Sequence, residues 1–347
     1  MELRKKRIVL LFNYLFLVLL FFGIGLPEAV AKKSTHIWKV ASHAPKGVGW
    51  AVYLDKMNPD IKRITNGEVY FDWYHGGVMG DDEDYIAKIQ IDQLQGAGFD
   101  GHGIVMICPE TAVFQLPFLF NSFDEVAYVK AELKERLSEL FSKNGYKLLV
   151  SLDQSFDDFY STKREIRTPE DFVKSKFVTY SGQVDYEVLK SLGASPIPLN
   201  VPEIASSFRS RLCDAVLAPS IWWVGAQLYT ITKHVTSTNI RYAPGAVAIS
   251  MKAWNRVPEE YHRSILEIMP EHERGFNQYS QESGEKCLQA MIKYGIKEVK
   301  LTHDEVKMIK KRTKPVWDKL AGGLYPRELL DQIMGLLNQY RSQTASN

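Results

Sequence analysis

The side chains of this chain able to ligate, ionise or stack at a common site are few. His43, His75 and His102 each follow a predicted strand, and Asp100 stands just before the last of them. Imidazole with carboxylate is zinc-type ligation. Their spacing is not diagnostic of a metal, however, and three separately hydrogen-bonded histidines fit the pattern as well. Tyr74, Phe156, Tyr160, Tyr180, Trp222, Trp223 and Tyr242 add ring surface near other strand ends, with Asp157, Val178 and Leu217 among them. Such rings cap cores as readily as they line a site, because they bury an apolar face and keep a wet polar tip. No activated nucleophile accompanies them. Gly-x-Ser-x-Gly, His-Glu-x-x-His and Gly-x-x-x-x-Gly-Lys are all missing from the sequence. The residues therefore favour binding over catalysis, with no cofactor implied.

The elements that must position these side chains alternate. His36–Ser42 and residues 68–74 read as strands, separated by a helix from Trp50 to Ile64. Asp81, Asp82, Glu83 and Asp84 are an acidic first turn suited to a helix N-terminus, and residues 96–101 form a short small-residue strand. Residues 146–152 and 156–161 read as two further strands. Thr168-Pro169-Glu170-Asp171 opens a helix, and residues 176–180 return as a strand. Pro196, Pro198 and Pro202 forbid a helix before Glu203, after which Ile204, Phe208 and Leu212 recur on one helical face. Helix is expected over 222–233 and 271–294, and strand at 235–237 and 246–249. Helices alternating with short strands define an α/β fold with a largely parallel sheet.

Residues 1–31 read as a secretory signal. Arg4 to Arg7 is a basic head, Ile8 to Leu26 an apolar run, and Ala29-Val30-Ala31 a small-residue cleavage site. The apolar run is long enough to serve as an uncleaved anchor instead. Removing this leader takes four basic and two acidic residues, so the net charge of +2 falls to zero. No basic field for nucleic acid or anionic lipid is left. Cys108, Cys213 and Cys287 allow one bridge at most and leave a thiol free.

Several phrases resemble the solute-binding subunits of tripartite ATP-independent periplasmic (TRAP) transporters, of the dicarboxylate-receptor (DctP) type. They are Leu192-Gly193-Ala194, Pro196 to Leu199, Glu203, Asp214, the turn Gly77 to Gly80, Leu116-Pro117-Phe118-Leu119-Phe120, and Trp254 followed by Pro258 and acidic residues. The resemblance spans roughly residues 36–340. It implies a two-lobed clamshell with hinge-crossing strands and a long lobe-spanning helix. One lobe would take 32–154 with 243–282 and the other 155–242 with 283–341, with 342–347 as a disordered tail. It further implies a periplasmic receptor for a small-molecule solute, working with TRAP membrane subunits and possessing no enzymatic role. A helical-repeat periplasmic lipoprotein is a further implied partner, and relatives occur as monomers or homodimers.

Ligands of open α/β sheets sit outside the carboxyl ends of the strands. That places His43, Tyr74, Asp100, His102, Phe156, Asp157, Tyr160, Val178, Tyr180, Leu217, Trp222, Trp223 and Tyr242 as ligand-binding candidates, with Ser42 and His75 beside them. The resemblance also implies an arginine on the strand after the Thr168 helix and a second in the first crossing strand. Val178 and Asp157 stand at those positions. The expectation is a cleft without a guanidinium, and hence a neutral, apolar or cationic ligand rather than a simple carboxylate. A metal or metal-chelate binder using the first-lobe histidines remains the alternative.

Overall fold

The computed structural model describes residues 36–345 apart from Val48 and Ser181, so the leader read in residues 1–31 lies outside the described residues. β1 (His36–Ser42) pairs in parallel with β2 (Val69–Tyr74) and β3 (Gly96–Phe99). Two strands then run through the middle of the sheet, β4 (Tyr146–Ser161) and β8 (His234–Ser250), antiparallel to each other. Beyond them β5 (Phe177–Thr179) pairs in parallel with β6 (Ile197–Pro198) and β7 (Ala215–Pro219). β9 (Lys297–Val299) lies parallel to the start of β8. The sheet order is β2-β1-β3-β8-β4-β7-β5-β6. The two flanks carry the parallel pairs expected of α/β units, and β4 and β8 pass from one to the other.

Both crossing strands are continuous where the sequence reads as broken. Residues 146–152 and 156–161 belong to one strand, as do 235–237 and 246–249. Register shifts at Leu148/Val150, Asp153/Ser155 and Asp157/Phe159 carry β4 across residues that resemble a turn, as β-bulges do. The long helix Glu259–Tyr294 packs along this strand. Ser151 N donates to Glu273 at 2.9 Å, Asp153 N donates to Asn277 Oδ1 at 2.8 Å, and Ser280 Oγ donates to the Gln154 carbonyl at 2.7 Å. Backbone groups freed by the bulges thus find side-chain partners.

The helix start that the sequence places at Pro258-Glu259-Glu260 and the helix it reads from residue 271 are one element, which runs on through Pro270. One N–H is lost there, and burial of Ile265, Met269 and Phe276 on the Trp38 and Leu54 side holds the helix down. Its far end buries Met291 against Tyr160 and Trp223. Between these anchors Gly284 lies on β4, where a Cβ would come 3.1 Å from Ser155 Oγ. Two further expectations fail at helix ends. The helix starting at Ser220 stops at Gly225, and Gln227 turns left-handed with φ of 58°. The last helix, Arg327–Ala345, includes residues 342–345, which the sequence assigns to a disordered tail. The three cysteines are unpaired.

Asp158 shows how the crossing is fixed. Its carboxylate accepts from Thr238 N at 2.6 Å and Asn239 N at 3.0 Å, across the irregularity between β4 and β8. Burial pushes its pKa from 3.8 up to about 7, against the pull of those two donors. Burial likewise pushes the neighbouring Asp157 up to about 6. Between about pH 4 and pH 7 the folded chain keeps protons that the unfolded chain has released, so stability falls as pH rises through that window and levels off above it. At about 1.4 kcal/mol per pH unit, Asp158 alone accounts for up to about 4 kcal/mol. An Asp158→Asn variant keeps an oxygen to accept both N–H groups but cannot ionise. Thermal melts at pH 5 and pH 8 are expected to show a smaller loss of Tm on raising the pH in the variant than in the wild type. Equal losses would mean that Asp158 does not carry the slope.

Candidate functional site

The antiparallel register of the crossing strands sets Asp157 of β4 opposite Arg241 of β8. Arg241 Nε donates to Asp157 Oδ2 at 2.7 Å, and Nη2 lies 2.6 Å from the same oxygen. Nη1 donates to Gln115 Oε1 at 3.4 Å and stands 4.0 Å from Asp185. Arg241 is 2% exposed and Asp157 fully buried. A guanidinium therefore reaches the centre of the cleft, and the expectation of a cleft without one is overturned. It arrives from the returning strand, a position that comparison with Val178 and Asp157 alone does not reach. The readable signal was a charge in each of two apolar crossing strands, Asp157 among phenylalanines and Arg241 between Ile240 and Tyr242. Charges in such strands call for a partner.

Two small cavities meet beside this pair, of about 20 Å³ and about 50 Å³. Asp100, Gln154 and Tyr180 line both. Asp157, Arg241 and Gln115 close the first, and His43 and Trp222 border the second. Asp100 caps the helix Gly101–Ile107, accepting from His102 N and Gly103 N. Tyr180 stacks on Trp222 with ring centroids 5.3 Å apart. Burial, then the charge of Asp157, drives the Tyr180 hydroxyl far above its usual pKa, so it stays neutral. A wider groove of about 770 Å³ lies against the first half of β4 and shares no lining residue with these cavities. Its Lys130 is already paired with Asp153 at 2.9 Å.

A second charged cluster flanks the cavities. His43 Nε2 lies 3.2 Å from Asp81 Oδ1 and 3.7 Å from Asp82 Oδ1, and its Nδ1 lies 3.3 Å from the Tyr85 hydroxyl. Burial opposes charge on His43, yet Asp81, Asp82 and the nearby Asp100 raise its pKa to about 10. Burial, then the charge of Asp100, pushes Asp82 well above the carboxylate range. Asp81 also accepts from Val201 N at 3.1 Å. Val201 is the first residue of the helix Val201–Arg209, whose free N–H groups suit an anion.

Of the side chains singled out from sequence, the structure brings His43, Asp100, Asp157, Tyr180 and Trp222 to the cavities, together with Ser42. Eight candidates lie elsewhere. Tyr74 turns its hydroxyl to Asp72. Phe156 alternates to the face opposite Asp157 and packs edge-on against Phe123 and Tyr242, whose hydroxyl donates to Asp153. Tyr160, Val178 and Trp223 fill one core cluster and Leu217 another. His102 faces Gly182, where a Cβ would stand 2.6 Å from its Nδ1. His75 is held by Ser42 and Asp55. The three histidines accordingly do not converge, and the first-lobe histidine cluster is corrected to His43 with Asp81 and Asp82. Gln115, Gln154 and Arg241 are among the lining residues that the sequence reading misses.

Comparison with known proteins fits this architecture. The chain matches the family described as bacterial extracellular solute-binding protein, family 7 (DctP), over residues 40–322. It is similar to the C4-dicarboxylate-binding periplasmic protein DctP of Rhodobacter capsulatus, with 25% identity over 304 residues, 86% of this chain and 88% of the relative. Similarity to the C4-dicarboxylate-binding protein DctB of Bacillus subtilis is 21% over 314 residues, 90% and 88% of the two chains. Among solved structures, a TRAP periplasmic solute-binding protein of Sulfurospirillum deleyianum with bound succinate superposes with a TM-score of 0.80 at 20% identity, covering 87% of this chain and 99% of the other. The sugar acid binding protein DctPAm of Advenella mimigardefordensis, in complex with galactonate, gives 0.82 at 18% identity, covering 88% and 99%. Matched over most of its length and sharing the two-lobed fold, the chain belongs to the DctP family of extracellular solute-binding proteins, the periplasmic receptors of TRAP transporters.

Proposed function

We propose that this receptor captures a small neutral or cationic solute, with an apolar or planar body, and delivers it to TRAP membrane subunits. The leader in residues 1–31 exports the chain, and residues 32–154 with 243–282 close on 155–242 with 283–341. The receptors above with succinate and galactonate hold carboxylates. In this chain the observation that carries a different reading is that Arg241 is already committed to Asp157. Asp100 and Asp157 both line the cavities, and Asp185 stands close behind. A ligand carboxylate would have to displace Asp157 or lie uncompensated among these acids, at a cost of several kcal/mol. An ammonium or amide would find acceptors on Asp100 and Gln154 and the face of a stacked tyrosine–tryptophan pair.

A thermal-shift screen tests the ligand class. At saturating concentration a primary or quaternary amine of the right shape is expected to raise Tm by a few degrees, the effect of about 2.7 kcal/mol at one hundred times Kd. Succinate and galactonate are expected to leave Tm unchanged at pH 7. Large shifts with those acids and none with amines would overturn the reading.

Asp157→Asn tests the committed arginine. The substitution removes a charge while keeping shape, so the amine identified in the screen is expected to bind at least about tenfold more weakly, or 1.4 kcal/mol. Succinate should gain measurable affinity, because the guanidinium is released to make a two-pronged contact. Calorimetry reads both changes. Unaltered affinities for both ligands would show that the pair does not govern selectivity.

A further inference from the structure

We propose that His43, Asp81 and Asp82 form a binding site for a divalent transition-metal ion of the zinc class, and that metal binding favours the closed cleft through Asp81. One donor atom from each residue lies within 4.8 Å of the others. His43 Nε2 is 3.2 Å from Asp81 Oδ1 and 3.7 Å from Asp82 Oδ1. Metal–ligand bonds of about 2.0–2.2 Å at tetrahedral angles put neighbouring donors about 3.3–3.6 Å apart, and the two His43–carboxylate separations lie close to that spacing. Nδ1 faces the Tyr85 hydroxyl at 3.3 Å. A metal at Nε2 would displace the proton that the flanking carboxylates hold there, and Nδ1–H would keep its contact with the Tyr85 hydroxyl, an outer partner of the kind that orients a metal-bound imidazole.

Independent support comes from Asp82. It is fully buried, and neither of its oxygens, nor His43 Nε2, makes a hydrogen bond of good geometry: they face only one another and the Asp81 and Asp100 carboxylates. Buried carboxylates are ordinarily satisfied. The first turn of the helix Asp82–Gln90 holds Asp82, and Gly103 leaves it room, since a Cβ there would lie 2.5 Å from Oδ1. The donor set of one imidazole and two carboxylates, with Asp100 alongside, selects zinc, manganese or iron(II) over magnesium or calcium. The other oxygen of Asp81 accepts from Val201 N across the cleft. A metal that fixes Asp81 also fixes that acceptor, so binding and closure are linked. His43 also borders the solute cavity, so the metal site adjoins the solute site rather than overlapping the Arg241–Asp157 pair.

The test uses the full exported chain, stripped with a chelator and titrated with Zn²⁺. One equivalent per chain is expected by metal analysis and calorimetry, together with a smaller radius of gyration by X-ray scattering. Asp82→Asn and His43→Gln should each weaken Zn²⁺ by at least about tenfold while keeping the circular dichroism of the wild type. Co²⁺ added to the wild type offers a readout that needs no variant. Visible d–d bands of a four- or five-coordinate ion are expected. No stoichiometric Zn²⁺ uptake, a Co²⁺ spectrum like that of the aqueous ion, or full Zn²⁺ affinity in both folded variants would each overturn the proposal and leave His43 as an imidazolium held between two carboxylates.

Discussion

The buried contact between Asp157 and Arg241 ties the register of the sheet to the chemistry of the cleft. Both residues lie on strands that pass between the two flanks, and each is almost wholly shielded from water. Leaving either charge unpaired there costs about 3–5 kcal/mol. A slip of one residue would turn Arg241 toward the opposite face and bring Ile240 or Tyr242 to the cleft. The pair therefore punishes every register but the observed one. It does so where β4 is irregular, with register shifts at Asp153/Ser155 and at Asp157/Phe159. The strand that bends most is thus pinned by its strongest side-chain interaction.

The two faces of the crossing divide the work. Asp157 points at the cavities, while Phe156 and Asp158 alternate to the other side. Phe156 joins Phe123 and Tyr242 in an aromatic cluster, and Asp158 holds the backbone of Thr238 and Asn239. Asn239 itself has φ of 46°, a left-handed backbone that Asn tolerates better than most residues. Behind them the helix Glu259–Tyr294 supplies Glu273, Asn277 and Ser280 to backbone groups of β4. The irregular backbone of the crossing is thereby held by side-chain partners, while the buried Asp157 Oδ1 and Thr238 Oγ1 make no hydrogen bond among the described residues.

Much of this was legible in the sequence, and the failures have physical causes. The helix starts were readable because capping chemistry is local. Thr168 with Asp171, Asn200 with Glu203 and Asp81 with Asp84 all form reciprocal caps. The parallel flanks followed from alternating helix and strand. The continuity of β4 and β8 was not readable, because bulges place residues such as Gln154 where a strand normally breaks, and Ser280, which donates to its carbonyl, lies 126 residues away. Strand-end position drew attention to Tyr160, Val178, Leu217 and Trp223, yet all four face inward. Which side of a short strand meets the core depends on packing that one sequence does not display. Arg241 was hidden for a related reason: its partner is 84 residues away and only the antiparallel pairing joins them.

An arginine committed within the protein also changes what can drive closure. A cleft that closes over a bare guanidinium must strip its water without compensation unless a carboxylate arrives, so closure waits on an anion. With Asp157 already in contact, that barrier is largely removed, and closing depends on contacts made elsewhere between the flanks. Two such contacts are in place. Asp81 accepts from the N-terminus of the helix Val201–Arg209, and His102 approaches Gly182 so closely that a side chain there would collide. Neither needs a charged solute. Under the proposed function, gating would rest on how well the solute fills the space beside Tyr180 and Trp222 and on how firmly Asp81 is held, since a ligand shifts the open–closed balance only by its differential affinity for the two states.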